Sequence, residues 1–279
     1  MSDIILIADS GSTKTDWLLC NDGMLSVGFK TQGINPYMLS ENEIANILQE
    51  ELLCKSAFVQ PQKVRFYGAG CRGEQCSMLK SVLRKLMPQA TDVVVDSDLV
   101  GAAKALCGDA DGIACIMGTG SNSCLYVGGK IVQNVSPLGY ILGDEGSGAV
   151  LGKRLISDLL KSQLPEDIKK AFFNYYHLNL DDIIRRVYKE PFANRFLASF
   201  APFLHQHKEH EAIRALLLDE FGRFFKRNIE RYQRNDLNVS FVGSVAYYFQ
   251  NELKIVAQNY GYNIGKILKS PLDGMKGVK

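Results

Sequence analysis

Short apolar runs separated by glycine- and hydroxyl-rich turns open the chain, and long stretches of helical spacing fill much of its second half. Ile4 to Ala8 is a continuous apolar run, the pattern of a buried strand. Trp17 to Cys20 and Met24 to Phe29 flank Asp22-Gly23, which predicts a hairpin. Ser40 and Glu43 form a capping box ahead of Ile44, Ile47, Leu48 and Leu52, an apolar face at helical spacing. A strand over Val64 to Tyr67, a helix ending before Pro88, a strand over Val93 to Val95 and a helix over Val100 to Leu106 follow. Gly108-Asp109-Ala110-Asp111-Gly112 interrupts the pattern and predicts a domain joint. Gly148 to Asn235 reads as mostly helical, with one long amphipathic helix from about Lys208 to Gln233. "NVSFVGSVAYYF" reads as strand, Gly243-Ser244 turn and helix.

Beyond the joint, at Ile113, the opening pattern starts again. "IADSGSTKTDWLLCNDG" and "GTGSNSCLYVGGK" each leave an apolar strand, pass through Gly, Ser and Thr, re-enter a strand and turn back. A separation of about 109 residues is too long for a solenoid period and predicts two related α/β halves. They are placed at 1–108 and 109–279, with the last segment packing back on the first half.

Composition narrows the partners. The 279 residues carry 32 basic and 30 acidic side chains, a formal charge of +2, so nothing marks a nucleic acid or an anionic membrane as partner. The longest apolar runs fall far short of the ~20 residues of a membrane span. "MSDIILIAD" lacks a basic n-region and a usable apolar h-region, so no signal peptide is expected. Seven cysteines without a CxxC pair predict free thiols in a reducing cytoplasm.

Asp9 to Thr15, "DSGSTKT", is a glycine turn whose backbone N–H groups can approach phosphate oxygens, with Ser12, Thr13 and Lys14 adding hydroxyl and ammonium donors. The pattern GxxxxGK[ST] does not fit here or elsewhere. An isolated turn of this kind is ordinary; the second, Gly118 to Ser123, makes a paired phosphate grip the better reading. "LGDEGSG", Leu142 to Gly148, places Asp144 and Glu145 among glycines before a helix, where they would either hold a divalent cation through water or cap the helix. Asp96 and Asp98 stand at the carboxyl end of a strand, where ligands collect in open α/β sheets; one of the pair is expected to be a helix cap. Gly243 in "FVGSVA" would let backbone lie against an adenine or a ribose. Gly68 to Gly73, "GAGCRG", matches a dinucleotide-binding fingerprint with Asp96 as the later acidic residue, but it has sheet elements before it and Arg72 at a crowded position. HxHxxH at His205, His207 and His210 reads as a solvated helix face rather than a metal cluster.

Taken in order, "DSGSTKTD", "DSD…GAA", "GTGSNS", "LGDEGSG" and "VGSV" resemble the actin-like ATPase and sugar kinase superfamily, and within it the N-acetylglucosamine kinase and BadF/BadG/BcrA/BcrD-type ATPase family. The resemblance implies two ribonuclease-H-like domains with a nucleotide cleft between them, each giving one phosphate hairpin. It implies an ATP-dependent kinase acting on an amino sugar or an N-acetylated hexose such as N-acetylglucosamine, with Mg²⁺. Asp98 would be the catalytic base and Asp9 the water-mediated Mg²⁺ ligand. Ser10, Gly11, Ser12, Thr13, Lys14, Gly118, Thr119, Gly120, Gly243 and Ser244 would hold ATP; Asn35, Asn122 and Asp144 would hold the sugar. A homodimer is also implied. Leu138 stands where these kinases usually carry tryptophan, and Ser10 and Ser12 stand where glycines are common, departures that bear on which sugar is taken. Two alternatives follow from the same motifs. One is an activator ATPase with an iron–sulfur cluster, for which Cys107, Cys115 and Cys124 near the junction would be the ligands if they are not simply buried thiols. The other is a sugar sensor without turnover, against which the intact Asp98 argues.

Overall fold

The computed structural model describes residues 4–11, 14–21 and 25–275. The chain divides into two compact units: one runs to Gly108 and takes in the segment from Ser270, and the other is Asp109–Lys269. The first contains β1 (Ile4–Ser10), β2 (Lys14–Asn21), β3 (Leu25–Gln32), β4 (Lys63–Gly68) and β5 (Asp92–Ser97), in the order β3-β2-β1-β4-β5. β1 to β3 form an antiparallel meander, and β4 and β5 extend it in parallel. The residues of the predicted Asp22-Gly23 turn lie outside those described.

Parallel pairing needs crossovers, and the helices supply them. α1 (Glu41–Ile47) continues as a wider π-type turn over Leu48–Leu53, α2 (Gly73–Leu86) joins β4 to β5, and α3 (Asp98–Cys107) leaves β5. The Ser40–Glu43 capping box forms, with Ile44 and Ile47 buried beneath it. Trp17 lies edge-on to Phe66 with centroids 5.7 Å apart, and its Nε1 donates to Thr31 Oγ1 at 3.0 Å. α3 approaches β4 closely: a Cβ on Gly101 would come within 2.6 Å of Tyr67 Cβ.

The second unit has β6 (Gly112–Met117), β7 (Ser121–Val127), β8 (Lys130–Val135), β9 (Val239–Val242) and β10 (Ile264–Leu268) in the order β10-β9-β6-β7-β8. With β6 counted as first, this is the strand order of the other unit, and the directions match as well. The repeated turn motif is thus the visible part of a repeated sheet. The helices are α4 (Gly139–Leu142), α5 (Gly148–Leu160), α6 (Glu166–Tyr176), α7 (Leu180–Tyr188), α8 (Ala193–Ala198), α9 (Ala201–Gln206), α10 (Glu211–Arg227), α11 (Ser244–Tyr248) and α12 (Gln250–Asn259). Phe172, Phe200, Phe203, Phe221, Phe224, Phe225 and Phe241 are buried in its core. The final helix, α13 (Pro271–Gly274), belongs to the first unit and packs on α3, β1 and β2.

The long helix expected from about Lys208 to Gln233 is shorter at both ends. It starts at Glu211, where His210 Nδ1 accepts the Ala212 N–H at 3.2 Å as an N-cap. It stops before Asn228, whose Nδ2 bonds the Phe224 carbonyl and the Glu145 carboxylate, and a 3₁₀ turn over Ile229–Tyr232 follows.

Candidate functional site

In the first unit the end of β1 places Asp9 within electrostatic reach of Asp16 on β2 and Asp98 on α3. Asp9 is paired across the sheet with Asp16 on one side and Tyr67 on the other. Burial, then the nearby charges of Asp98 and Asp16, push the Asp9 pKa up to about 7, with Lys14 pulling the other way. Asp98 opens α3, and burial raises its pKa against the Leu99 N–H bond and the Arg72 charge, which lower it. Leu99 N donates to Asp98 Oδ1 at 2.9 Å and fixes the carboxyl. Neither aspartate of the DSD stretch is the helix cap: Ser97 takes that place, accepting from Val100 N, and Asp96 Oδ1 accepts from Ser97 N at 2.8 Å. The oxygen donors of Asp9 and its neighbours suit Mg²⁺, and a cation there would offset the burial of Asp9 and, secondarily, the Asp98 and Asp16 charges that raise its pKa. Among the described residues no group of three or more His, Cys, Asp or Glu side chains is spaced to hold a metal directly, so a Mg²⁺ here would be held in part through water.

The expected phosphate donors divide. Ser12 and Thr13 lie outside the described residues. Gly11 closes the turn with its N–H on the Lys14 carbonyl at 3.0 Å, and Lys14 Nζ meets Asp16 Oδ2 at 2.5 Å. The Ser10 hydroxyl is committed elsewhere. It is buried, bonds both the N–H and the carbonyl of Ile34, and lies 2.6 Å from Thr15 Oγ1, so it ties the strand end to the Ile34 loop. Asn35, next along, is buried; its Oδ1 accepts from Tyr37 N at 3.0 Å. A Cβ on Gly70 would fall 1.9 Å from that same oxygen, so Asn35 fills the space before the GAGCRG turn. Gly73 has open space around its Cβ position and is required by its φ of +48° instead. The fingerprint is therefore not used as one: its middle glycine seats an asparagine.

In the second unit, three turns converge. The Gly118 N–H bonds the Gly120 carbonyl, and the carbonyls of Gly118 and Thr119 accept the N–H groups of Gly148 and Ala149 that open α5. Gly243, at φ +126°, lies against β6: a Cβ there would be 2.4 Å from the Met117 carbonyl oxygen. These contacts border a cavity of about 400 Å³ lined by Gly118, Thr119, Gly148 and Ser244 together with Ser199, Pro202, His205, Val245 and Tyr248. Gly118, Thr119 and Ser244 were expected at a nucleotide; the structure places all three on one cavity. The α9 wall was not foreseen. His205, read as solvated, lines the cavity and meets Tyr248 and Phe249 edge-on. His207 stacks at 4.3 Å on Phe203, and His210 caps α10. The HxHxxH run thus has three separate structural tasks, because its residues straddle the end of one helix and the start of the next.

Asp144 sits beside the second glycine turn at φ +54°, with Ser121 N–H on its carboxyl and Gly120 so close that a Cβ would lie 3.1 Å from Oδ2. Burial raises its pKa to about 6, with the Glu145 charge adding to the rise. Helix α5 is capped by Ser147, not by Asp144 or Glu145. Glu145 is buried, ion-paired to Arg227 and within 3.4 Å of Asn228 Nδ2, while its carbonyl takes the Ser121 hydroxyl. This anchor binds the Asp144 loop to α10 and to β7. Asn122 Oδ1 accepts from Ser123 N and from Asn134 Nδ2, both at 2.9 Å. Cys115 and Cys124 are buried in the second unit, and Cys107 ends α3 in the first.

No protein-family model and no curated protein matches the chain. A crystal structure of a putative N-acetylglucosamine kinase from Porphyromonas gingivalis is similar at 48% identity and TM-score 0.94, covering 98% of this chain and 97% of that one. One of a putative N-acetylglucosamine kinase from Chromobacterium violaceum is 16% identical, with TM-score 0.77 and 98% of both chains covered. MreB 5 of Spiroplasma citri, solved with AMPPNP bound, shares the fold at TM-score 0.54 and 12% identity, over 99% of this chain and 93% of that one.

Proposed function

The chain belongs to the N-acetylglucosamine kinase-like family of the actin-like ATPase and sugar kinase superfamily, and on that premise we propose that it is an ATP-dependent sugar kinase. Its acceptor on this reading is an amino sugar or an N-acetylated hexose such as N-acetylglucosamine. The observation that carries the reading is the cavity on which Gly118, Thr119, Gly148 and Ser244 meet. Its volume suits a nucleoside, its Tyr248 and Val245 offer apolar surface to a base, and glycine backbone borders it where phosphates need close approach.

Phosphoryl transfer asks mostly for position and neutralised charge. Lys14 and the Gly11 backbone would serve the terminal phosphates, and Asp9 would hold Mg²⁺, which when bound would neutralise phosphate charge. Asp98 accepts the proton of the acceptor hydroxyl. Its raised pKa makes it a better base than a solvated carboxylate, and the Leu99 N–H holds it in one orientation. Asn35, Asn122 and Asp144 contact the sugar. Calorimetric titration separates this reading from dinucleotide binding: ATP with Mg²⁺ is expected to bind and NAD is not. Heat from NAD with none from ATP would overturn it.

A further inference from the structure

A second cavity, of about 230 Å³, is bounded by α4, α5 and α10 and lies wholly within the second unit. Glu220, Arg223 and Arg227 reach it from one face of α10, three and four residues apart. Lys153 comes from α5, and Ile141, Leu142 and Val150 supply apolar wall. Glu220 is fully buried, and neither of its carboxyl oxygens has a hydrogen-bond partner. Arg223 Nη1 stands 3.0 Å from Oε1, but off the hydrogen-bonding direction. A buried carboxyl left without hydrogen bonds destabilises a fold. A leucine would fill the same space without that cost, so packing alone gives no reason for Glu220.

The other groups around the cavity decide what it takes. Arg227 meets Glu145 through Nε and Arg223 meets Glu220 through Nη1, so both half-exposed guanidinium groups keep further N–H donors for an anion. Lys153 Nζ donates to the Tyr140 carbonyl at 2.6 Å and has no carboxylate partner among the described residues. Arg154, also in the wall, is occupied by Asp158 and Asp219. This excess of cationic donors repels a bare cation and attracts a phosphoryl group. Glu220 needs a donor in return, which a hydroxyl supplies and a bare anion does not. The aliphatic wall suits the C–H face of a small ring. The volume lies below the roughly 300 Å³ at which pockets for larger ligands begin, so a nucleotide does not fit.

We propose that this cavity binds a monosaccharide phosphate, with phosphoryl oxygens on Arg223, Arg227 and Lys153 and a ring hydroxyl donating to Glu220. The site shares no lining residue with the cavity assigned to the nucleotide, and Asn35, Asn122 and Asp144 do not line it. Its link to the rest of the unit is the Arg227–Glu145 pair, since Glu145 adjoins Asp144. An occupant that draws on Arg227 therefore shares a side chain with the anchor of the Asp144 loop. The inference rests on this cavity alone and does not depend on the kinase reading.

Calorimetric titration of the full chain with N-acetylglucosamine 6-phosphate, to about 5 mM, tests it, with inorganic phosphate as the second titrant. The sugar phosphate is expected to bind wild type, and Arg223→Gln and Glu220→Leu each to weaken it at least tenfold. Inorganic phosphate is expected to bind more weakly, to lose affinity in Arg223→Gln and to keep it in Glu220→Leu. The melting temperature of Glu220→Leu should equal or exceed that of wild type, because an unbonded carboxyl is removed. Arg231→Gln makes the same change of charge away from the cavity and should alter neither titration. No heat from the sugar phosphate, or heat that Arg223→Gln and Glu220→Leu both leave untouched, overturns the site. Inorganic phosphate binding as tightly as the sugar phosphate, or losing as much in Glu220→Leu, overturns the sugar as its occupant.

Discussion

Asp96 and Asp98 are two residues apart and feel similar bulk charge, yet their environments differ. Asp98 has a carboxyl raised by burial and held by Leu99, whereas Asp96 bonds the N–H of its own neighbour at the strand end. Asp98→Asn should lower sugar phosphorylation by roughly 10² to 10⁴ with little change in ATP affinity, as removal of a positioned base does. Asp96→Asn should be far milder, and steady-state kinetics of the two variants decide between them. Asp9 gives a pH prediction. It keeps its proton to about pH 7 when folded and to about pH 4 when unfolded, so the native chain binds more protons in that window and Asp9 makes stability fall as pH rises through it. Asp9→Asn removes this term. Denaturation at several pH values should therefore show the variant gaining on wild type from pH 4 to 7, and Mg²⁺-dependent nucleotide binding should tighten with pH in wild type alone. At this scale the sequence located Asp98 at the strand-to-helix junction and the Ser40–Glu43 capping box, and missed the caps of α3 and α5. Ser97 and Ser147 cap α3 and α5 beside aspartates that could equally have done so, because spacing alone does not say which side chain turns back to the helix. The tie from the Ser10 hydroxyl to Ile34 was hidden for a similar reason, because its partner is remote in sequence.

Among the elements, the strand–glycine–helix turn at Gly243 is tightly constrained. At φ +126° any side chain is strained, and a Cβ would lie 2.4 Å from the Met117 carbonyl, so β9 and α11 cannot keep their place on β6 if the glycine is lost. Gly243→Ala should cost on the order of 2 kcal/mol or more and weaken nucleotide binding. Gly128→Ala is the control, left-handed at φ +57° but with nothing near its Cβ, and should cost about 1 kcal/mol. Equilibrium denaturation of both variants checks the difference. Turns of this kind were legible because glycine and hydroxyl residues after an apolar run leave few conformations open. The α9 wall was not, since His205 reaches the cavity from a six-residue helix with no motif of its own. The premature ends of α10 were equally hidden, being set by the His210 cap and by the Asn228 contact with Glu145, far away in the chain.

At the scale of the molecule, the repeat seen as two similar lines of sequence is a repeated five-stranded sheet with one strand order and one set of directions. It could be read early because both copies keep the glycine- and hydroxyl-rich sequence after the first strand, whereas the helices between strands have diverged to the point that only the second unit carries the long α5–α10 insertion. Asn35, Asn122 and Asp144, the proposed sugar contacts, are less legible, because each stands in a different local structure and none is part of a periodic pattern. The central claim is transfer of the terminal phosphate of ATP to a sugar hydroxyl, and mass spectrometry of the acceptor tests it most directly. The chain is incubated with ATP, Mg²⁺ and, in turn, amino sugars, N-acetylated hexoses, neutral hexoses or water alone. The account predicts one added phosphoryl group on an amino or N-acetylated hexose, with ADP formed in equal amount. ADP released at the same rate from water alone, with every sugar recovered unmodified, would contradict it.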